Sequence, residues 1–222
     1  MLREAEPILC YVTDRRALGD RGIGELPALV RRAVAAGIHW VQIREKDLPA
    51  WELLGLVREA VAAAQGSATR IVVNDRLDVA LAAGAVGVHL GEQSLPVAEV
   101  VGWRRAAESR ARVPAGFLIG ASCHSQEAAL EAERVGADYV FFGPVFATPS
   151  KAAFGPPQGI AKLTEVCRSL SIPVVAIGGI SAENFSGCFV AGAAGIAAIR
   201  LFQRASDLAA VVNTLKHRRP RR

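Results

Sequence analysis

A short hydrophobic pattern occurs four times along the chain. In each copy a turn of small residues around a glycine leads into an apolar run: AAGIHWVQIR, AAGAVGVHLG, RVGADYVFFG and VAGAAGIAAIR. The glycines lie about 50 residues apart, which is too long for one strand-helix-strand step and fits two. Four copies at this interval therefore predict eight βα units.

Four further apolar runs lie between these copies, namely ILCYVT (8–13), RIVVN (70–74), FLIGAS (117–122) and PVVAIG (173–178). Each is rich in Val, Ile or Leu with little polar alternation, as in parallel strands that are covered on both faces. The segments between the runs have the helical period. In the first of them one apolar stripe is formed by Leu26, Leu29, Val30, Ala33 and Val34.

This order of elements predicts a (β/α)8 TIM barrel that forms a single domain over residues 1–215. An open doubly wound sheet is the alternative, but it would place a glycine fingerprint after the first strand, and CYVTDRRALGDRG contains no G-x-G-x-x-G. A length of 222 residues with 51% hydrophobic content suits one domain with one large core. In such a barrel we expect the chemistry where strands end and βα loops begin.

The net charge changes this picture only at the carboxyl end. The formal charge is +5, and the segment from Lys216 to Arg222 contains five basic residues and no acidic one, so the rest of the chain is neutral. We expect residues 216–222 to be a basic, disordered tail and nucleic acid not to be a partner, with weak attraction to a polyanion as the alternative.

Neither cysteine spacing nor hydropathy indicates a metal site or a membrane segment. The four cysteines show no C-x-x-C spacing, which argues against zinc and for reduced thiols. The chain starts with acidic residues before a short apolar run (MLREAEPILC), unlike a signal peptide, and no long apolar stretch follows. We expect a cytoplasmic protein without a membrane partner.

Strand 2 delivers three polar side chains to the expected barrel mouth. Gln42, Arg44 and Lys46 alternate along the chain, so their side chains lie on one side of an extended backbone. An amide with two cations suits a phosphate or diphosphate together with the polar edge of a ring. The alternative is a surface ion-pair cluster that also includes Glu45 and Asp47.

Strands 3 and 4 add candidates whose roles stay open. Asn74 and Asp75 end strand 3, and the Asp75 carboxylate could hold magnesium or cap the next helix; the residue alone favours the cap. Strand 4 ends in HLGEQS. A lone histidine such as His89 after an apolar strand is more often packed or hydrogen-bonded than a ligand.

Strand 5 ends in Ser122-Cys123-His124-Ser125. Ser122 and His124 alternate, so both can face the mouth, and His124 is the best general acid or base because its ordinary pKa lies near neutrality. A structural role for His124 is an equal alternative. Ser125, followed by Gln and Glu, looks like a helix cap. No nucleophile elbow occurs, so nucleophilic hydrolysis is not indicated.

The longest loop, GPVFATPSKAAFGPPQG, follows strand 6. Thr148, Ser150 and Lys151 provide two hydroxyls and a cation, which suits an anionic group at a site that closes over substrate. Ordinary loop solvation is the alternative. Strand 7 ends in two glycines and strand 8 in Ile199-Arg200, and in such barrels the loops after these strands often form a phosphate site.

The ordered motifs YVTD, QIREK, NDRLDVALAAGAVGVHLG, GASCHS, DYVFFGPVFATPSK and VAIGGI resemble the thiamine phosphate synthase and thiazole tautomerase superfamily, from Tyr11 to about Phe202. The synthases of this superfamily join hydroxymethylpyrimidine diphosphate to thiazole phosphate, releasing pyrophosphate and producing thiamine phosphate. The resemblance implies a transferase of thiamine biosynthesis that binds small phosphorylated substrates, and it leaves open whether the chain forms a homo-oligomer.

The resemblance also implies a set of site residues. The pyrimidine and its diphosphate would be held by Gln42, Ile43, Arg44, Glu45, Lys46, Asn74, Ser122 and Lys151. The thiazole phosphate would be held by Thr148, Pro149, Ser150, Gly178, Gly179, Ile199 and Arg200. Mg²⁺ would bind Asp75. The catalytic residues would be Lys46, Ser122, His124 and Lys151, of which the two lysines stabilise the leaving pyrophosphate with the ion.

Three positions depart from the synthase pattern. Ser94 stands where the synthases have a second magnesium-binding Asp, Arg200 replaces a small Ser, and Ser150 replaces a Thr. A hydroxyl is a poorer ligand for Mg²⁺ than a carboxylate. The sister thiazole tautomerases need neither diphosphate nor magnesium and use a His at the position of His124 to aromatise the thiazole carboxylate phosphate. The retained pyrimidine and diphosphate residues favour a synthase; the alternatives are a tautomerase and a non-catalytic phosphate-ligand binding protein.

Overall fold

The structure of the protein is a computed structural model that describes residues 6–108, 113–114, 116–148 and 156–217. Parallel strands β1 to β8 close into a barrel in chain order, and β1 pairs with β8. The strands are β1 (Ile8–Val12), β2 (Trp40–Ile43), β3 (Arg70–Asn74), β4 (Gly87–Leu90), β5 (Leu118–Cys123), β6 (Tyr139–Phe142), β7 (Val174–Ile177) and β8 (Gly195–Ala198). The (β/α)8 barrel predicted from the four repeats is confirmed.

Helices follow the strands and cover the outside of the barrel. They are α1 (Gly22–Ala35), α2 (Ala50–Ala64), α3 (Leu77–Ala83), α4 (Val97–Glu108), α5 (Gln126–Val135), α6 (Gly159–Ser169), α7 (Phe185–Val190), α8 (Arg200–Gln203) and α9 (Leu208–His217), with a 3₁₀ segment over Arg15–Arg21. Ser125 caps α5 as predicted, because its Oγ accepts a hydrogen bond of 3.1 Å from the Ala128 amide. No helix among the described residues is long and apolar enough to cross a membrane.

The end of α9 corrects the expected boundary of the basic tail. The helix continues to His217, so Lys216 and His217 belong to the barrel and not to a tail that begins at residue 216. The physical reason is packing, because Leu215 is fully buried and holds the last turn against the core. Residues 218–222 lie outside the described part of the chain.

Each strand has one face inside the barrel and one face against the helices. The inner cluster consists of Cys10, Val12, Trp40, Tyr139, Phe141, Val175 and Ala197. The alternate strand residues, such as Leu9, Val41 and Ile71, belong to the larger core under the helices. Both faces of the strands are therefore buried, which explains their continuous apolar runs.

Aromatic rings fill the interior of the barrel below the mouth. Tyr139 stacks edge-on with Trp40, with ring centroids 4.6 Å apart, and lies 5.5 Å from the ring of Phe141. Gly120 on the neighbouring strand provides the space, because a Cβ atom there would overlap the Tyr139 ring. The interior is a packed core rather than a pore.

Candidate active site

Side chains from β2, β3 and the following residue form a continuous polar chain at the carboxyl ends of the strands. The Gln42 amide donates to Asn74 Oδ1 at 3.0 Å, and the Asn74 amide donates to Asp75 Oδ2 at 2.6 Å. Gln42 is buried, so its amide has a fixed position. The structure therefore brings together three residues that the sequence predicts at the mouth.

Asp75 does not cap the helix that follows it, so the helix-cap prediction is wrong. Helix α3 begins at Leu77, and its N-terminus has no side-chain cap. Asp75 instead adopts a left-handed backbone with φ 61°, a conformation that costs a non-glycine residue about 1 kcal/mol or more. Its carboxylate Oδ1 accepts from the Gly91 amide at 3.2 Å and from the Ser94 hydroxyl. Contacts to the loop after β4 thus turn the carboxylate towards the mouth.

The oxygen atoms around Asp75 fit a hard divalent cation that is bound mainly by substrate. Among the described residues no group of three or more His, Cys, Asp or Glu could hold a metal ion. Mg²⁺ in phosphate sites often uses one or two carboxylates and completes its coordination with phosphate oxygens and water. The Asp75 carboxylate supplies one such carboxylate ligand, and the adjacent Ser94 hydroxyl supplies a further oxygen.

His89 connects the mouth to the interior of the barrel. Its Nε2 lies 2.9 Å from Ser122 Oγ, and its Nδ1 lies 3.2 Å from the Tyr139 hydroxyl. Burial lowers the pKa of His89 to about 3, so the ring is neutral at physiological pH. The prediction that His89 is a packed, hydrogen-bonded histidine is confirmed.

His124 lies beside the mouth with one nitrogen fixed and the other accessible. Its Nδ1 contacts the Gly143 carbonyl oxygen, which can only accept a hydrogen bond, so Nδ1 carries the hydrogen. Nε2 lies 3.8 Å from a carboxylate oxygen of Glu92. About a third of the side chain is exposed. A neutral His124 can therefore accept a proton at Nε2.

The side chains of Ile43 and Glu45 point away from the mouth, and their role in binding substrate stays a prediction. Ile43 is buried under the helices. Glu45 is also buried, and its carboxylate accepts from the Thr13 hydroxyl at 2.6 Å and from the Arg15 amide at 3.1 Å. Because side chains alternate along an extended chain, residues 43 and 45 can contact a ligand only through their backbone.

Glu45 and Asp47 do form an ion-pair cluster, which was the alternative prediction for strand 2, but their partners are not Arg44 and Lys46. Arg15 pairs with Glu45 and Asp47, and Arg16 also pairs with Asp47. The cluster joins the loops after β1 and β2. Arg44 and Lys46 form no salt bridge within the described part of the chain, so their charges remain available to an anion.

The loops after β6, β7 and β8 meet on the opposite side of the mouth. The Arg200 guanidinium donates to Thr148 Oγ1 at 2.9 Å. Gly178 and Gly179 have φ values of 96° and 67°, and a Cβ atom on Gly179 would lie 2.6 Å from the Ala147 carbonyl oxygen. These glycines therefore allow the loop after β6 to pack closely.

Other residues of the expected thiazole phosphate side are only partly described. Ile199 directly precedes α8 and contacts the interior cluster. The predicted residues Pro149, Ser150 and Lys151 lie outside the described residues.

Two contributors were not identified from the sequence: Tyr139, which contacts His89, and Gly120, which makes space for that ring. One signal could have indicated Tyr139, since it alternates with Phe141 on an otherwise apolar strand. A polar ring at such a buried position needs a hydrogen-bond partner.

A cavity of about 400 Å³ opens at the other end of the barrel, where the strands begin. Its lining includes Trp40, Arg70 and Tyr139, and none of the predicted site residues. In this fold the chemistry occurs at the carboxyl ends of the strands, so we assign the site to the mouth.

Comparison with known proteins identifies the family. The family model described as thiamine monophosphate synthase matches residues 9–202. The thiamine-phosphate synthase of Methanocella arvoryzae is 44% identical over 93% of this chain and 92% of its own length, and that of Methanoculleus marisnigri is 44% identical over 86% of each. The solved thiamine phosphate pyrophosphorylase from Pyrococcus furiosus superposes with a TM-score of 0.77 at 34% identity, covering 94% of this chain and 93% of that one. The chain belongs to the thiamine monophosphate synthase family.

Proposed function

We propose that the protein is a thiamine phosphate synthase, a transferase that couples hydroxymethylpyrimidine diphosphate to thiazole phosphate and releases pyrophosphate. The observation that carries the proposal is the chain of hydrogen bonds from Gln42 through Asn74 to Asp75. It joins an amide suited to a heterocycle to a carboxylate suited to a cation. Two relatives that are 44% identical carry the same activity in their names.

The pyrimidine side of the mouth is set up by Gln42. Its Nε2 is used by Asn74, so its Oε1 can accept a hydrogen bond from an exocyclic amino group. Because the side chain is only 2% exposed, a ring bound against it would be shielded from water. The hydrogen bond to Asn74 fixes which end of the amide faces the ring.

The diphosphate side of the mouth combines cations with a hydroxyl. Arg44 and Lys46 follow β2, and Ser122 lies near the carboxyl end of β5. As the C–O bond to pyrophosphate breaks, negative charge builds on the leaving group and these groups stabilise it. Asp75, with Ser94 beside it, would hold Mg²⁺, which would neutralise further phosphate charge. The pyrimidine-methyl cation that remains is attacked by the thiazole nitrogen, so positioning and electrostatics provide most of the acceleration.

The thiazole phosphate would bind where the loops after β6, β7 and β8 meet. Arg200 adds a guanidinium to this rim and is held by Thr148. An arginine can bind a phosphate in two-pronged fashion, which a small serine cannot. On the diphosphate side, the family motif implies that Lys151 also stabilises the leaving pyrophosphate.

Cysteine chemistry supports a cytoplasmic location for this activity. Cys10, Cys123, Cys167 and Cys188 are free thiols. Burial raises the pKa of Cys123 and of Cys188 to about 12, so both stay protonated and unreactive. Free thiols are typical of reducing compartments.

The direct test is synthesis of thiamine phosphate by the purified protein from both substrates with Mg²⁺. We expect turnover, and we expect Ser94→Asp to lower the Mg²⁺ concentration at half-maximal rate about tenfold, because a second carboxylate strengthens ion binding by about 1.4 kcal/mol. Ser125→Asp is the matched control, since it adds the same charge at an exposed helix cap where Asp is also tolerated. Absence of thiamine phosphate in the wild type would contradict the proposal, and binding without turnover would support a ligand-binding protein instead.

One observation supports a second activity, aromatisation of the thiazole carboxylate phosphate. His124 holds its hydrogen on Nδ1 against Gly143, so its Nε2 can take up a proton near the mouth. If the protein is a tautomerase, aromatisation proceeds without Mg²⁺ and His124→Ala lowers its rate at least about a hundredfold. An unchanged rate in that variant would exclude this second activity.

A further inference from the structure

Ser122, His89 and Tyr139 form a line of hydrogen bonds from the mouth into the barrel. The innermost residue, Tyr139, determines which atom donates in each of these hydrogen bonds. The Tyr139 hydroxyl is buried, and His89 Nδ1 is its hydrogen-bond partner within the described residues. A buried hydroxyl that donates no hydrogen bond loses about 1 kcal/mol or more. No buried side-chain polar atom among the described residues lacks a partner. Tyr139 therefore donates to Nδ1.

The tautomer of His89 follows from that donation. A neutral imidazole carries one hydrogen, so when Nδ1 accepts, the hydrogen is on Nε2. Nε2 then donates to Ser122 Oγ at 2.9 Å. A protonated ring would donate from Nε2 as well, so the result at Ser122 does not depend on the charge of the ring.

The Ser122 hydroxyl is left with one direction for its own hydrogen. Its oxygen accepts from His89 on the buried side, and the residue itself is only partly buried at the mouth. We propose that Tyr139 and His89 are positioning residues that fix Ser122 as a hydrogen-bond donor towards an anionic substrate oxygen. The identity of that oxygen, in the diphosphate, rests on the proposed function.

This arrangement is the reverse of a catalytic Ser-His pair. There the histidine accepts the serine hydrogen and creates a nucleophile. Here the histidine donates, so Ser122 keeps its hydrogen and is a poor nucleophile. A preorganised donor of this kind needs no reorientation while charge develops on the leaving group.

The hydrogen positions can be measured directly by ¹⁵N NMR of the histidines in the substrate-free protein. We expect a protonated Nε2 and an unprotonated Nδ1 for His89. His124 is the internal contrast, because its contact with the Gly143 carbonyl places the hydrogen on Nδ1. His39 is the internal match, because its Nδ1 accepts from the Leu9 amide at 3.3 Å. An unprotonated Nε2 on His89 would overturn the inference, whatever the enzyme's activity.

The functional consequence is tested by the binding of inorganic pyrophosphate with Mg²⁺ to single and double variants. We expect Ser122→Ala to weaken binding about tenfold, and Tyr139→Phe to weaken it about threefold or more, because His89 is then free to accept from Ser122. If Tyr139 acts through Ser122, the double variant binds no more weakly than Ser122→Ala alone. Additive losses, or full binding by Tyr139→Phe, would refute the inference.

Tyr11→Phe is the matched control for these variants. It removes the hydroxyl of the other buried tyrosine, which donates to Gln203 at 3.0 Å on the helix side of β1. We expect this variant to lose stability and to bind pyrophosphate as the wild type does. If the wild type itself binds no pyrophosphate, the synthase proposal fails, and the NMR measurement still decides the orientation of His89.

Discussion

At the scale of the residue, burial of one imidazole makes folding sensitive to acid. The pKa of His89 falls from 6.5 to about 3 in the folded protein. Between these pH values the unfolded chain binds a proton that the native protein does not. The free energy of unfolding therefore falls as the pH is lowered through this window, by at most about 1.4 kcal/mol per pH unit.

Replacing His89 with Gln tests this dependence. Gln can keep hydrogen bonds but cannot be protonated, so we expect the free energy of unfolding to depend less steeply on pH than in the wild type between about pH 6.5 and pH 4. Chemical denaturation at several pH values measures the two slopes. His217→Gln makes the same substitution at an exposed position and is the control for the exchange itself. Parallel slopes for wild type and His89→Gln would refute the prediction.

Two acidic residues show what the sequence cannot indicate at this scale. Asp75 follows a strand and precedes a helix, which is the setting of a cap, yet Gly91 and Ser94 from the next loop turn it to the mouth. Glu45 lies on the other side of the chain from the cations of strand 2, as alternation predicts, but its partners Thr13 and Arg15 come from the segment after β1. The partners of both carboxylates come from distant parts of the chain, so local patterns do not contain them.

At the scale of the element, a glycine in the middle of β5 is explained by its neighbour. Glycine weakens a strand because it has no side chain to pack and gains much conformational freedom on unfolding. Glycine fits at position 120 because the Tyr139 ring of β6 occupies the space that a side chain would need. Periodicity predicted the strand, but it could not predict which ring lies across it.

Gly120→Ala should therefore destabilise the barrel by about 2 kcal/mol, because the added methyl group displaces a buried aromatic ring. It should also disturb the ¹⁵N signals of His89. Gly102→Ala is the matched control, since Gly102 lies inside α4 with no atom near its absent Cβ, and Ala there should stabilise by about 1 kcal/mol. Urea denaturation measures both changes; equal stability of the two variants would contradict the assignment.

At the scale of the whole molecule, the first and last strands close the fold. Residues from Ile8 to Tyr11 pair with residues from Gly195 to Ala198. The repeats predicted this closure, because four equally spaced copies leave no free edge strand. Charge composition alone predicts a tail from residue 216, two residues too early, because it does not reveal that Leu215 anchors the last helical turn.

Gly195→Ala tests the closure, because an added Cβ would overlap the Ile8 carbonyl oxygen of β1. We expect a loss of about 2 kcal/mol with a single unfolding transition, since opening this pair of strands opens the whole barrel. Tryptophan fluorescence and circular dichroism should give the same midpoint. Gly55→Ala in α2, with open space around its Cβ position, is the control. Separate midpoints for the two probes would show that part of the barrel survives alone.

The aromatic rings of Trp40, Tyr139 and Phe141, which fill the barrel interior, also determine the route by which ligands enter and leave the site. Because these rings fill the interior of the described part of the barrel, a ligand at the mouth cannot pass through to the opposite end. Both substrates would enter by the mouth, and pyrophosphate and the joined product would leave by it. Pyrophosphate that stays bound at the mouth would prevent the next substrate molecule from binding. Release of pyrophosphate and product from the mouth, as well as formation of the new bond, then contributes to the turnover rate.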